Sequence, residues 1–158
     1  MEEHWLWYLA GTVDTSATLT VKVQKDDRID LGYKLFPRFY FARPKSVESI
    51  FGMVDEYLED TTASYRIKEL DRSNRLEIQN PEDIRTFIEP LLDGFIQQRD
   101  RAEYYLDEVL PLLENGSPKS EKKFIEAMEI IDGLSQYPIQ PRTTSKYDAD
   151  YFRGEWGL

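Results

Sequence analysis

A chain of 158 residues, 41% hydrophobic and 13% aromatic, is the size of one domain with a real core. It has no Cys and a single His, His4, which excludes disulfides, thiolate nucleophiles, Cys-ligated metals and any site built on paired histidines. Thirty acidic against 20 basic residues leave a net charge of −10, which argues against electrostatic capture of nucleic acid by the chain as a whole.

In chain order, residues 3–14 predict a short helix in which Trp5, Leu6, Tyr8, Leu9 and Val13 are available for burial. Ala10 and Gly11 leave a flat patch on it where another backbone can come close. Strand alternation follows, with Leu19, Val21 and Val23 on one side and Thr18, Thr20, Lys22 and Gln24 on the other. A turn at residues 25–28 leads to a second strand, where Leu35, Pro37, Phe39 and Phe41 alternate with Lys34, Phe36, Arg38 and Tyr40. Pro37 marks an edge or a bulge. Pro44 and Ser46 open a helix carrying Val47, Ile50, Phe51, Val54 and Leu58 at helical spacing.

The pattern repeats. Tyr65 and Ile67 alternate with Arg66 and Lys68, residues 71–74 make a turn, and Leu76 and Ile78 alternate with Arg75, Glu77 and Gln79. Asn80 with Pro81 reads as the cap of a helix through Ile84, Phe87, Ile88, Leu91 and Leu92. Two further helices, roughly 99–114 and 118–134, are separated by Asn115-Gly116-Ser117-Pro118. Charge divides with the elements: residues 18–43 hold six basic and three acidic side chains, residues 64–79 four and three, and residues 80–135 six and thirteen. The acid excess is also a composition suited to a salt-rich cytoplasm. No apolar run approaches the roughly 20 residues of a membrane span and the N-terminus lacks a signal peptide's basic region, so a cytoplasmic protein with no membrane partner is expected.

The string Leu9-Ala10-Gly11-Thr12-Val13-Asp14-Thr15-Ser16-Ala17, on a helix running straight into a strand, resembles the motif of the LAGLIDADG homing endonuclease family. The first six motif positions, Leu9 to Asp14, fit it well. The resemblance implies an α+β fold of helix-strand-strand-helix-strand-strand-helix, with a four-stranded antiparallel sheet and extra C-terminal helices. It covers residues 1–135, leaving 136–158 as an aromatic-rich tail. The Pro residues Pro138 and Pro141 and the aromatics Tyr137, Tyr147, Tyr151, Phe152 and Trp156 suggest that the tail packs back on the body or hooks a partner.

The same resemblance implies that the eighth motif position is the acid that binds the catalytic metal; here it is Ser16, with Ala17 where the family has Gly. A hydroxyl is a poor substitute for anionic oxygen at Mg²⁺, so no catalytic residue and no cofactor is expected, with Mg²⁺ required only if nuclease activity is retained. Asp14 reads as a polar residue at the helix end that bonds the adjoining turn. The basic residue that the family places after the third helix corresponds to Gln98 or Arg99. One motif copy implies a homodimer in which two first helices cross at Ala10 and Gly11.

The outward strand residues Thr20, Lys22, Gln24, Lys34, Arg38, Tyr40, Arg66, Lys68, Arg72, Arg75 and Gln79 form the expected DNA-binding set, able to contact base edges and phosphates. Phe36 and Tyr40 suit a contact surface better than bare solvent. The reading is a duplex DNA-binding homodimer that has lost catalytic metal binding. Its rivals are an active endonuclease with a rearranged metal site around Asp14 and a protein-interaction module on the same fold, the second favoured by the net charge.

Overall fold

A computed structural model describes residues 1–47, 49–137 and 146–158. It has the expected α+β order: α1 (Glu3–Ser16), β1 (Thr18–Lys25), β2 (Tyr33–Pro44), α2 (Ser49–Leu58), β3 (Arg66–Glu69), β4 (Ser73–Ile78) and α3 (Pro81–Ile88). After these come α4 (Arg99–Tyr104), α5 (Leu110–Leu113), α6 (Glu121–Asp132) and α7 (Ala149–Trp156). The four strands form one antiparallel sheet in the order β1-β2-β4-β3.

Period-two alternation gives the sheet two unlike faces. Leu19, Leu35, Phe39, Phe41, Leu76 and Ile78 are buried beneath the helices, among Leu9 and Val13 of α1, Ile50 and Val54 of α2, and Ile84 and Phe87 of α3. The rings of Phe39 and Phe87 are centred 5.2 Å apart, and Tyr57 meets Phe87 edge-on at 5.5 Å. Each such fully buried side chain contributes about 1.5–3 kcal/mol relative to exposure. Pro37 sits where β2 has only one neighbour, because pairing with β4 begins at Phe39. The strand is an edge at that point and needs no N–H on its open side.

Several boundaries differ from the sequence reading, each for a local reason. The first hairpin connection is not the four-residue turn at 25–28 but the loop between Lys25 and Tyr33. There the Asp26 carboxylate accepts the Arg28 backbone N–H at 3.1 Å and its guanidinium at 2.9 and 3.0 Å, and Gly32 closes the loop at φ +75°. The Asn80 side chain caps α3 as expected, accepting from the N–H groups of Glu82 and Asp83. Pro90 then ends the helix early: its ring would meet the Thr86 carbonyl, so the chain tightens into a 3₁₀ segment over Glu89–Gly94. Pro111 acts in the opposite sense. The helix begun by α4 widens into a π segment (Tyr105–Val109) before α5, with Leu110 N–H bonding back to the Tyr105 carbonyl.

The 3₁₀ segment lies directly against α1. A Cβ on Gly94 would stand 2.5 Å from the Ala10 Cβ and 3.0 Å from the Trp7 ring, so this crossing accepts only glycine. Ala10, expected at a surface between protomers, is buried here inside one protomer. The C-terminal aromatics pack back on the body: Phe152 is fully buried between Tyr33 and Phe124, with ring centroids 5.0 and 4.8 Å away. Pro138 and Pro141 lie outside the described residues. No helix among the described residues is long and apolar enough to cross a membrane.

Candidate functional site

The outer face of the sheet is uncovered and carries side chains of one kind. Register aligns Thr20 with Arg38, Lys22 with Phe36, and Gln24 with Lys34 across β1 and β2. It aligns Tyr40 with Glu77 and Ala42 with Arg75 across β2 and β4, then Glu77 with Arg66 and Arg75 with Lys68 across β4 and β3. Nine of the eleven residues expected at the DNA-binding face are therefore on it. Arg72 and Gln79 are not: Arg72 lies in the connection between β3 and β4, where its carbonyl accepts from Lys45 N–H, and Gln79 lies beyond the end of β4. Pairing stops before either can take a place in the ladder.

Two aromatic rings organise the face. Tyr40 has the Arg38 guanidinium 4.6 Å and the Arg75 guanidinium 4.4 Å from its ring centre. Phe36 has the Lys22 and Lys34 ammonium groups at 5.7 and 5.9 Å. These cation–π contacts hold the ends of long side chains in place on the face. Beside Tyr40 is Glu77, which the sequence reading placed in the alternation but gave no role. It is 3% exposed, yet faces outward, because arginines from three strands cover it. Arg66 Nε and Nη2 donate to Glu77 Oε2 at 3.0 and 2.7 Å. Arg75 and Arg38 stand 3.6 and 3.8 Å from Oε1. Burial works to raise the Glu77 carboxyl, but the hydrogen bonds and charge of Arg66, reinforced by Arg38 and Arg75, hold it below the usual carboxylate range. Arg75 is two positions from Glu77 on the same strand, but strand pairing brings Arg38 and Arg66 to them, which is why spacing alone does not reveal the cluster.

The motif residues at the end of α1 are engaged within the protomer. The Asp14 carboxylate, 3% exposed, accepts from the backbone N–H groups of Ile96, Gln97 and Gln98 at 2.9, 2.9 and 2.7 Å. Gln98 Nε2 donates in return to the carbonyls of Asp14 and Ala17 at 2.9 and 2.8 Å. Asp14 therefore fastens a distant segment and not the adjoining turn, and Gln98, one of the two positions matched to the family's basic residue, is a buried tie to the end of α1. Ser16 Oγ donates to the Thr12 carbonyl of its own helix. Arg99 reaches the surface but pairs with Glu103 at 3.0 Å and Asp93 at 3.6 Å.

Two more ties in the same region carry no sequence signature. Arg101 donates to the carbonyls of Leu19 and Leu134 at 2.7 and 2.6 Å, and burial lowers its guanidinium from the ordinary value. Tyr105, fully buried, donates to the Thr20 carbonyl at 2.9 Å. On the solvent side of α1, Trp5 and Tyr8 are 44% and 48% exposed, and a Cβ added at Gly11 would meet nothing within 4 Å.

No family model and no curated protein sequence matches the chain significantly. Solved structures do match. The homing endonuclease I-CvuI, in complex with the I-CreI target in 2 mM Mg with the DNA not cleaved, is 18% identical, with a TM-score of 0.76 over 97% of this chain and 94% of that one. The archaeal intron-encoded homing endonuclease I-Vdi141I, complexed with DNA, is 16% identical, with a TM-score of 0.77 over 98% of this chain and 95% of that one. I-SmaMI, bound to an uncleaved DNA target in the presence of calcium ions, is 14% identical, with a TM-score of 0.68; 96% of this chain is covered but 48% of that one.

Proposed function

We propose that this chain, whose fold is that of the LAGLIDADG homing endonucleases, is a member of that family that binds duplex DNA as a homodimer and does not cut it. The observation that carries the reading is the charge of the outer sheet face. Lys22, Lys34, Arg38, Arg66, Lys68 and Arg75 share that face with one carboxylate, Glu77, in a molecule whose net charge is −10. Cations concentrated on one uncovered face of an acidic protein suit a polyanion that meets that face alone.

The donors at the end of α1 do not fit a divalent ion. Mg²⁺ needs anionic oxygen with free lone pairs facing an open site. The Ser16 hydroxyl is neutral and turned onto the Thr12 carbonyl, and both Asp14 oxygens already accept backbone N–H groups. No hydrolytic step is assigned to either residue. Support for the homodimer comes from two facts. The chain spans about half the length of I-SmaMI, a length that two copies would match. The free side of α1 presents Trp5, Tyr8 and an open Gly11, a surface that another apolar helix can cover.

A salt-titrated mobility-shift assay tests the reading. Replacing Lys22, Arg38, Arg66 and Lys68 by Ala is expected to reduce the slope of log affinity against log salt by up to about 0.9 for each phosphate no longer neutralised. Replacing Lys119, Lys122 and Lys123, on and just before α6, should change binding little. If the α6 variant loses DNA while the sheet variant keeps it, the interface is elsewhere. Absence of binding to any duplex at low salt would leave a protein-interaction module as the reading. Cleavage of a plasmid library with Mg²⁺ or Mn²⁺ would overturn the loss of catalysis.

A further inference from the structure

The two cation clusters of the outer face differ in chemistry, and the difference separates two tasks. From the geometry we infer that Arg38 and Arg75 read guanine in the target, with Glu77 and Tyr40 as their positioning residues, while Lys22 and Lys34 hold phosphate. The inference rests on the duplex-binding reading and goes further, to the base composition of the site.

Arg38 and Arg75 have what base reading requires. Each guanidinium lies against the Tyr40 ring, at 4.6 and 4.4 Å, so its orientation is limited before any ligand arrives. Each is close enough to Glu77 Oε1 for charge balance, at 3.8 and 3.6 Å, yet beyond hydrogen-bond length. Neither guanidinium is a donor in any hydrogen bond among the described residues, and their side chains are 31% and 24% exposed. Arg66 contrasts with them, since its Nε and Nη2 are both committed to Glu77 Oε2.

A held guanidinium with unused N–H groups offers a rigid pair of donors side by side. In the major groove the matching pair of adjacent acceptors is guanine O6 and N7, whereas adenine presents one acceptor and one donor there. With both groups on one ring, the two forks lie within roughly 9 Å of each other, no more than about three base-pair steps of 3.4 Å. Lys22 and Lys34 carry no fork. An ammonium is a point charge that suits the phosphate backbone, and both are exposed beside Phe36.

Selection of bound duplexes from a randomised pool, followed by affinity measurements on single-base variants of the selected site at two salt concentrations, tests this. The natural chain is expected to enrich two guanines within about three base-pair steps on either strand. Arg38→Lys and Arg75→Lys keep the charge and remove the fork; each should reduce guanine-over-adenine discrimination at one position by about 10- to 100-fold with the salt slope unchanged. Lys22→Ala and Lys34→Ala should weaken all sequences alike and lower the slope by about 0.9 each. Glu77→Gln should loosen both arginines and relax both positions together, and Glu77→Asp should restore part of the discrimination. The inference is overturned, and duplex binding survives, if the natural chain binds in a salt-dependent way without selecting guanine, or if the Arg→Lys variants keep its preference. No binding to duplex at low salt overturns both.

Discussion

Glu77 is a carboxylate on an exposed face that the arginines of three strands have closed over, so its loss acts on stability as well as on charge. Its carboxyl is held below the ordinary range, and a lowered folded-state pKa contributes stability that is present above the unfolded value of about 4.3 and disappears as pH falls through the folded one. Glu77→Gln is therefore expected to cost about 1–3 kcal/mol at pH 7 and to flatten the acid limb of stability below about pH 4.5. Urea midpoints taken from pH 7 to pH 3 check this; parallel curves for the two proteins would show that Glu77 is not coupled to folding. The alternation of residues 75–79 puts Glu77 on the outer face, and that much is legible in the sequence. What is not legible is the register that sets Tyr40 and Arg66 on either side of it, since those partners lie 37 and 11 positions away and belong to different strands. The same limit hides the pairing of Gln98 with Asp14 and Ala17.

Among the elements, α1 carries the most separable functions. Its buried side meets the 3₁₀ segment at Ala10 and Gly94, its end clasps residues 96–98 through Asp14, and its free side is open at Gly11. Asp14→Ala deprives three inward N–H groups of their acceptor and is expected to lower stability by about 2–4 kcal/mol, with amide exchange rising first at Ile96, Gln97 and Gln98. Unchanged exchange there would place the clasp's strength elsewhere. Gly11→Leu has room within the protomer and exchanges a poor helix former for a good one, so the protomer's unfolding midpoint should hold or rise. Across the proposed crossing with a second copy the same side chain would overfill, weakening self-association by about 1–3 kcal/mol. Sedimentation equilibrium separates the two effects, and an unaltered self-association constant would remove Gly11 from the interface. An element boundary was legible at Asn80, where a cap announces it, but the last long helix starts at Glu121 behind the Ser120 cap and not at 118. Proline at 90 and 111 was harder, because the ring forbids a regular helix without saying whether the chain will tighten to 3₁₀ or widen to π.

At the scale of the whole molecule, the sheet's outer face concentrates cations while the helices around it carry the acids, so a net charge of −10 is a poor guide to what any one surface attracts. An acidic body also discourages any polyanion from settling on the helices. The C-terminal aromatics belong to this same body. Phe152 on α7 is fully buried against Tyr33, Phe124 and Trp156, and Phe152→Ala is expected to cost about 3–5 kcal/mol. A single cooperative urea transition shifted as a whole would follow from that; an early partial transition confined to α6 and α7 would show that this end unfolds by itself. The α+β order and the polar and apolar faces followed from alternation and helical spacing. The position of α7 did not, since aromatic content says that a segment will pack but not on what.

The ties that residues 96–105 make to the end of α1 and the start of the sheet join parts of the chain made far apart in time. Asp14 meets Ile96 across 82 positions, Arg101 meets Leu19 across 82, and Tyr105 meets Thr20 across 85. Closing loops of that length costs entropy before the two ends can bond, whereas the two hairpins and the helices can form locally. The clasp is thus a late event in folding, and β1, an edge strand, waits on a helix synthesised some eighty residues after it to cover its carbonyls. Asp14→Ala should then appear in a chevron plot as faster unfolding with little change in the refolding limb. During synthesis the N-terminal half would carry its sheet with an unguarded edge until the region around Arg101 emerges, which makes that interval the one in which two nascent chains are most exposed to pairing by their strands.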